Sequence, residues 1–269
     1  MVADCLNYGL KVSEAAKDTK VLTRMEKGIA TLNAVTGPNY GRIWNADVVK
    51  ALMERFGDGV TGQFRVPGIW GKPLSEVTNQ NTTLYAGERD MFIFLADESR
   101  PIEMANRRDG QSGQLNRGFF VWNSEVGSCT LGIMSFIYDT VCANRIVWGA
   151  SQIEEIRIRH TISAPDRFIE EVVPALQEYS ESSDSGIKLA IENAKALNMD
   201  EERVSEFLEG RFGKGLVNAI QEAHVQDEGR PIENMWDVVT GATAYARQVK
   251  FQPERLEIER EAGRILQAA

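Results

Sequence analysis

Sulfur and imidazole are scarce in this chain, with three cysteines and two histidines among 269 residues. Cys5, Cys129 and Cys142 form an odd set without CxxC spacing, which argues against a disulfide framework and against a zinc site. Reduced thiols are therefore expected. His160 and His224 have no paired-ligand spacing, so neither a histidine metal centre nor a cofactor is expected, and only carboxylate-held magnesium stays open. No apolar run approaches the roughly 20 residues that cross a bilayer. The opening VADCLNYG is acidic and polar rather than basic and then apolar, so no secretory signal is read and a cytoplasmic protein is expected. The chain also lacks a GxxxxGK[ST] loop and a GxGxxG turn, the cradles of nucleoside triphosphate and dinucleotide chemistry.

What remains is an ordinary globular composition, 43% hydrophobic and 26% charged, with a net charge of −9. The charge is uneven. Residues 1–160 balance 18 basic against 18 acidic side chains, whereas residues 161–269 carry 12 against 21. Acidity opposes long-range attraction of polyanions, so contact with nucleic acid would need a local basic groove in the front part.

Hydrophobic spacing predicts an α+β protein: an antiparallel β-hairpin sheet packed on helices, followed by an all-helical C-terminal half. Residues 1–40 read as an N-terminal helical segment, with Val21, Leu22, Met25, Ile29 and Leu32 on one face. Residues 41–165 read as the α+β core. It opens with a helix capped by Asn45, apolar at Val48, Val49, Leu52, Met53 and Phe56, and stopped at Gly57. Strand, turn and strand follow around MFIFLADES, and a second pair is read in RGFFVWNSEVGSCTLGIMSF with NSEVGS as its connection. FIYDTVCANRIVWG is spaced for a helix, and IRIRHT alternates as a strand with Arg157 and Arg159 outward. Residues 166–269 read as helices broken at SSDSG, FGKG and DEGRP.

Several chemical sites can be weighed. Cys142, Asn144 and His160 supply the vocabulary of a nucleophilic enzyme, but the apolar neighbours of Cys142 suit a packed thiol better than an activated one. NSEVGS is not a GxSxG elbow and suits a tight connection, with glycine at positive φ and Asn and Ser side chains bonded to backbone. EERVSEFLEGRFGKGLVNAIQEAH invites a helix-turn-helix reading but offers few cations as phosphate anchors. The arginines carry more weight. Arg100, Arg107, Arg108 and Arg117 surround a polar connection, Arg145, Arg157 and Arg159 follow, and Phe119, Phe120, Trp122 and Trp148 are interleaved. Cations with flat rings are what single-strand binding requires. The competing reading pairs these arginines with Asp97, Glu98, Glu103, Asp109, Glu154 and Glu155 and places the aromatics in the core.

The stretches GERDMFIFLADE, GFFVWNSEVGS, VCANRIVWGA, IRIRHT and MWDVVTGATAYAR resemble the phage/plasmid-like proteins of bacteriophages, prophages and plasmids, a domain of unknown function. The resemblance runs from about residue 60 to the end, and NSEVGS followed by VCAN is its specific part. It implies a mobile-element protein in the cytoplasm of a bacterial host, without naming a reaction. Some phage proteins of similar size anneal single-stranded DNA with a β-hairpin sheet packed on a helix, an analogy of fold alone.

The leading expectation is thus a non-enzymatic homo-oligomer that binds nucleic acid, with single-stranded DNA in recombination or replication as the candidate ligand. Its binding residues would be Arg100, Arg107, Arg108, Arg117, Trp122, Arg145, Arg157 and Arg159. The alternative is a protein-interaction or assembly factor of a mobile element, acting through the acidic helical half on a phage or host partner. A cryptic Cys/His enzyme ranks third.

Overall fold

The computed structural model describes residues 5, 8–9, 11–12, 19–67, 84–104, 113–140, 143–148 and 156–269. Strands β1 (Lys20–Glu26) and β2 (Ile29–Thr36) form a separate antiparallel hairpin. The helix expected over this part of residues 1–40 is therefore a two-stranded ribbon, whereas residues 5, 8–9 and 11–12 are helical as expected. Lys27 and Gly28 turn it with φ of 49° and 81°, the double left-handed geometry that matches strand twist in two-residue hairpins. Val21, Thr23, Ile29, Thr31 and Val35 are β-branched and favour the extended chain. Helical spacing at five apolar positions misled because these side chains never enter a core; Met25 and Ile29 are 66% and 69% exposed.

The main sheet is built on β7 (Gly113–Asn123) and β8 (Leu131–Asp139), paired antiparallel. The outer edge of β8 is shared in tandem by β9 (Arg145–Trp148) near its end and β10 (Ile156–Ile158) near its start. On the far side of β7 lie β5 (Met91–Asp97) and β6 (Ile102–Met104), and β5 in turn pairs β3 (Phe64–Arg65) and β4 (Leu84–Ala86). Residues 145–148, expected within a helix, are thus strand. Phe136, Ile137, Ile146 and Val147 lie on strands buried on both faces, where a continuous apolar run carries no period that separates strand from helix. Cys142 lies outside the described residues.

Both faces of the sheet are covered. On one, Phe119, Val121, Leu131 and Ile133 meet Val48, Leu52 and Phe56 of α1 (Asn45–Phe56) and residues from a second helical stretch. That stretch runs through α2 (Ala164–Arg167), a π-helical turn (Phe168–Val172) and α3 (Val173–Glu181). The wider turn falls just before Pro174, whose ring and missing N–H disturb the regular ladder. On the other face an aromatic layer of Phe92, Phe94, Phe120, Trp122, Phe136 and Tyr138 packs on Leu256.

The C-terminal half is helical, as its spacing predicts: α4 (Ser185–Ala196), α5 (Glu201–Phe212), α6 (Val217–Glu228), α7 (Met235–Gln248) and α8 (Gln252–Ala268). Asp200 and Asn234 cap α5 and α7 by accepting the amides of Arg203 and Asp237. A shared core joins these helices to Ile102, Leu115, Ile137 and Ile146 of the sheet. Helix α8 runs so close to β9 that a Cβ on Gly263 would stand 1.6 Å from the Val147 carbonyl oxygen. Among the described residues no helix is long and apolar enough to cross a membrane.

The close approach of α8 to β9 yields a direct test. Gly263→Ala must push the helix off the strand and should cost about 1–3 kcal/mol, the usual toll of overpacking, read as a lower urea midpoint with an unchanged slope.

Candidate functional site

The hairpin, the β4–β5 turn and the β7–β8 connection meet at one end of the sheet. The connection, NSEVGS, is bonded to everything around it. Asn123 Nδ2 donates to the Ile43 carbonyl at 2.9 Å and to Asn45 Oδ1 at 2.8 Å. Ser124 and Ser128 hydroxyls donate to the Arg89 carbonyl at 2.6 and 2.8 Å, and the Ser128 amide donates to Ser124 Oγ at 3.0 Å. Gly127 has φ of 83°, the left-handed geometry a tight connection of this kind needs. The Asn45 amide donates to Glu125 Oε1 at 2.7 Å. Asn45 is therefore not the side-chain cap of α1; a carboxylate from the connection takes that part and complements the positive end of the helix.

Between the hairpin and these turns lies a cleft of about 400 Å3 lined by Leu22, Arg24, Asn33, Asn45, Arg89 and Glu125. A neighbouring hollow of about 450 Å3 shares Arg24, Asn33 and Arg89 and reaches Ser128. Beside them runs a ladder of flat groups. The Arg42 guanidinium lies 5.4 Å from the Trp44 ring and 5.5 Å from the Tyr40 ring, and Tyr40 stacks on His160 at 5.1 Å. Arg42 Nη1 donates to the Glu125 carbonyl at 2.6 Å, which fixes it between the rings. Trp44, at 44% exposed, offers an open surface for a further flat group.

Local electrostatics disfavour covalent chemistry here. Burial, with the Asp90 charge adding to it, pushes the Cys129 thiol up to about 11, so it stays protonated and a poor nucleophile at neutral pH. Burial raises the Asp90 carboxyl against the pull of Arg89. Burial lowers the His160 imidazole, outweighing the Gly41 carbonyl 3.2 Å from Nδ1.

The arginines singled out in the sequence do not form one surface. Arg107 and Arg108 lie outside the described residues. Arg145 is fully buried, donates to Glu259 at 2.9 Å and covers the Phe94 ring at 4.1 Å. Arg117, 5% exposed, lies on the opposite sheet face against Tyr179. Trp122 is 6% exposed within the aromatic layer. The expectation that Arg117, Trp122 and Arg145 share an open face is thus corrected: long stems and rings of this kind supply buried packing at the sheet. Arg100 is held by Asp97 at 3.0 Å and donates to the Ser180 carbonyl. Arg157 and Arg159 are exposed on the β10 edge. Arg117 and Arg145 stand opposite Ile137 and Tyr138, whereas Arg157 stands opposite Gly132, a spacing of about 17–20 Å along β8.

The supposed enzyme set is likewise divided. The Asn144 carbonyl accepts the Asp139 amide at one end of β8, and His160 follows a strand paired with its other end, at Leu131. About 25 Å separates the two positions. Asn144 instead accepts from Arg247 at 3.3 Å, a tie between sheet and α7. Missed by sequence reasoning were Arg24, Arg42, Trp44 and Arg89. Part of the signal was present in NYGRIWN, where Tyr40, Arg42 and Trp44 alternate ring, cation and ring.

An antiparallel sheet clasped by helices, with a polar cleft at its turn end, defines an α+β protein whose site carries no recognisable catalytic set among the described residues. The family model described as Domain of unknown function (DUF932) matches residues 78–255, and the chain belongs to that family. No curated protein and no solved structure matches it.

The buried imidazole gives a pH test. Its folded pKa lies below the ordinary value near 6.5, so the unfolded chain binds the proton first. His160 stabilisation is present above that ordinary value and is lost as pH falls through the folded one. Stability should decline from pH 7 toward pH 5 more steeply in the parent than in His160→Gln, measured by urea midpoints across that range.

Proposed function

We propose that the protein binds single-stranded nucleic acid in the cleft beneath the β1–β2 hairpin, without catalysing a reaction. The single observation behind this reading is the exposed Trp44 ring beside Arg42, one residue before Asn45 of a cleft that Arg24 and Arg89 line. A base stacked on Trp44 gains about 1–3 kcal/mol. The guanidinium groups neutralise adjacent phosphates and release counterions, which makes the affinity fall with salt. Exposed Arg157 and Arg159 extend the same end along β10, since Thr161 bridges to Tyr40. Glu88, Asp90 and Glu125 lie in the same cleft and restrict the path that a backbone phosphate can take.

The resemblance to phage/plasmid-like proteins supports a mobile-element setting in the bacterial cytoplasm, and recombination or replication would supply single strands there. The outward hairpin face, with Val21, Met25 and Val35 exposed, supports work as a homo-oligomer. The second reading, an assembly factor docking through the acidic helical half, is favoured by exposed Phe251 and Val225 at 64% and 46%.

Filter binding of a labelled oligothymidine with a salt titration tests the leading reading. The parent should retain the strand at low ionic strength with an affinity that falls as salt rises. Trp44→Ala should weaken retention about tenfold to a hundredfold, and Arg89→Ala should flatten the salt slope by about one. Absence of salt-dependent retention refutes the reading, and recovery of a protein partner after nuclease treatment would favour docking.

A further inference from the structure

The cleft beneath the hairpin is not a simple phosphate groove. Glu88, Asp90 and Glu125 line it against Arg24 and Arg89, so carboxylates outnumber guanidinium groups. The Asp90 carboxyl, raised by burial, accepts no hydrogen bond from a described residue. Half-buried carboxylates without donors disfavour a phosphate and suit a group rich in N–H. In a bound strand the guanidinium groups take the phosphates, and the carboxylates are left to meet the bases.

Three side chains in this cleft are set by their surroundings. The hairpin register breaks once: Leu22 stands opposite Ala34 and Thr23 opposite Leu32, which leaves Asn33 as the extra residue of a β-bulge. A bulge re-aims a side chain, and Asn33 lines the cleft without a bond to any described residue. Asn45 is oriented from behind. Asn123 Nδ2 donates to the Ile43 carbonyl as well as to Asn45 Oδ1. A backbone carbonyl only accepts, so the Asn123 amide cannot be turned over, and Asn45 Nδ2 is left on the other side as an unclaimed donor. Glu125 Oε1 accepts the Asn45 amide, which holds the carboxylate beside that donor, and Oε2 has no partner among the described residues.

We propose that the cleft selects guanine from a bound strand, with Glu125 accepting its N1–H and N2–H and with Asn45 and Asn33 donating to O6 and N7. This rests on the single-strand reading above and adds base identity to it. Guanine is the base whose Watson–Crick edge carries two adjacent donors, which match the two oxygens of one carboxylate, followed by an acceptor that matches the Asn45 amide. Adenine and cytosine offer one amino group each, and thymine turns two carbonyls toward the same carboxylate. A single strand leaves this edge free to be read. The volume of about 400 Å3 admits a purine, and Trp44, one residue before Asn45, has an exposed ring for a neighbouring base.

Filter binding of oligothymidines that carry one central guanine, inosine, adenine or cytosine tests the proposal. The guanine should tighten retention about fivefold to a hundredfold over the all-thymine strand. Inosine keeps N1–H and O6 but lacks the 2-amino group, and should lose most of that gain. Glu125→Gln retains an oxygen for the Asn45 amide but loses the second acceptor, and should bring guanine and inosine to near-equal affinity. Asn33→Ala, on the ribbon and away from the start of α1, should reduce the guanine gain if the helix start proves intolerant of change. Equal affinity of the parent for all five strands, preference for another base, or a guanine gain undiminished in both variants overturns the selection and leaves single-strand binding standing. Retention of no strand at all overturns both.

Discussion

A buried ion pair stands at the junction of the two halves, beside the apolar core that joins them. Arg145 on β9 and Glu259 on α8 are both fully excluded from water, and Arg255 donates to the same carboxylate oxygen at 2.8 Å. Burial lowers the Arg145 pKa from its usual value, with Glu259 pulling it back up. Removing one partner of such a pair leaves an uncompensated charge and costs about 3–5 kcal/mol. Because the pair sits where α8 touches β9, the register of the last helix and the edge of the sheet are fixed together. Gly263 permits the approach and Arg145 rewards it.

At the other end of the sheet the constraint is a set of hydrogen bonds rather than a charge. Asn123, Ser124, Glu125 and Ser128 satisfy amides and carbonyls of two segments distant in sequence, around Ile43–Asn45 and at Arg89. This network holds Tyr40, Arg42 and Trp44 in line and positions α1 by a carboxylate on its first amide. The motif that marks the family resemblance is thus a joint, and the groups exposed to a ligand are Glu125 and its neighbours. That arrangement is the tight connection its sequence suggests, with glycine at positive φ and Asn and Ser side chains bonded to backbone.

Much of the architecture was legible in the sequence. Helix α1, the strands around Phe92 and Phe120 and the helices after Pro165 follow from period, turn residues and caps. The hairpin at residues 20–36 was not, because apolar residues exposed on a thin ribbon leave no inside and outside for periodicity to register. The arginines were harder still. Sequence spacing gives no information on which face of a sheet a guanidinium meets or whether a helix more than a hundred residues later carries its carboxylate, as Glu259 does for Arg145. Arg157 and Arg159 were placed outward correctly since strand alternation alone decides that. The Arg42–Trp44 ladder lay in a seven-residue stretch whose alternation was readable, but whose exposure depended on contacts made by Glu125.

The hairpin also carries a dynamic consequence. A two-stranded ribbon is barely stable alone, and the base of this one is bonded to the body by Lys20 Nζ on the Tyr40 carbonyl and by Arg42 on Thr36 Oγ1. It is therefore the portion that detaches at small energetic expense while the sheet and its helices stay intact. Lifting the ribbon would widen the hollow beneath it, and the bonds to break are those of Lys20 and Arg42.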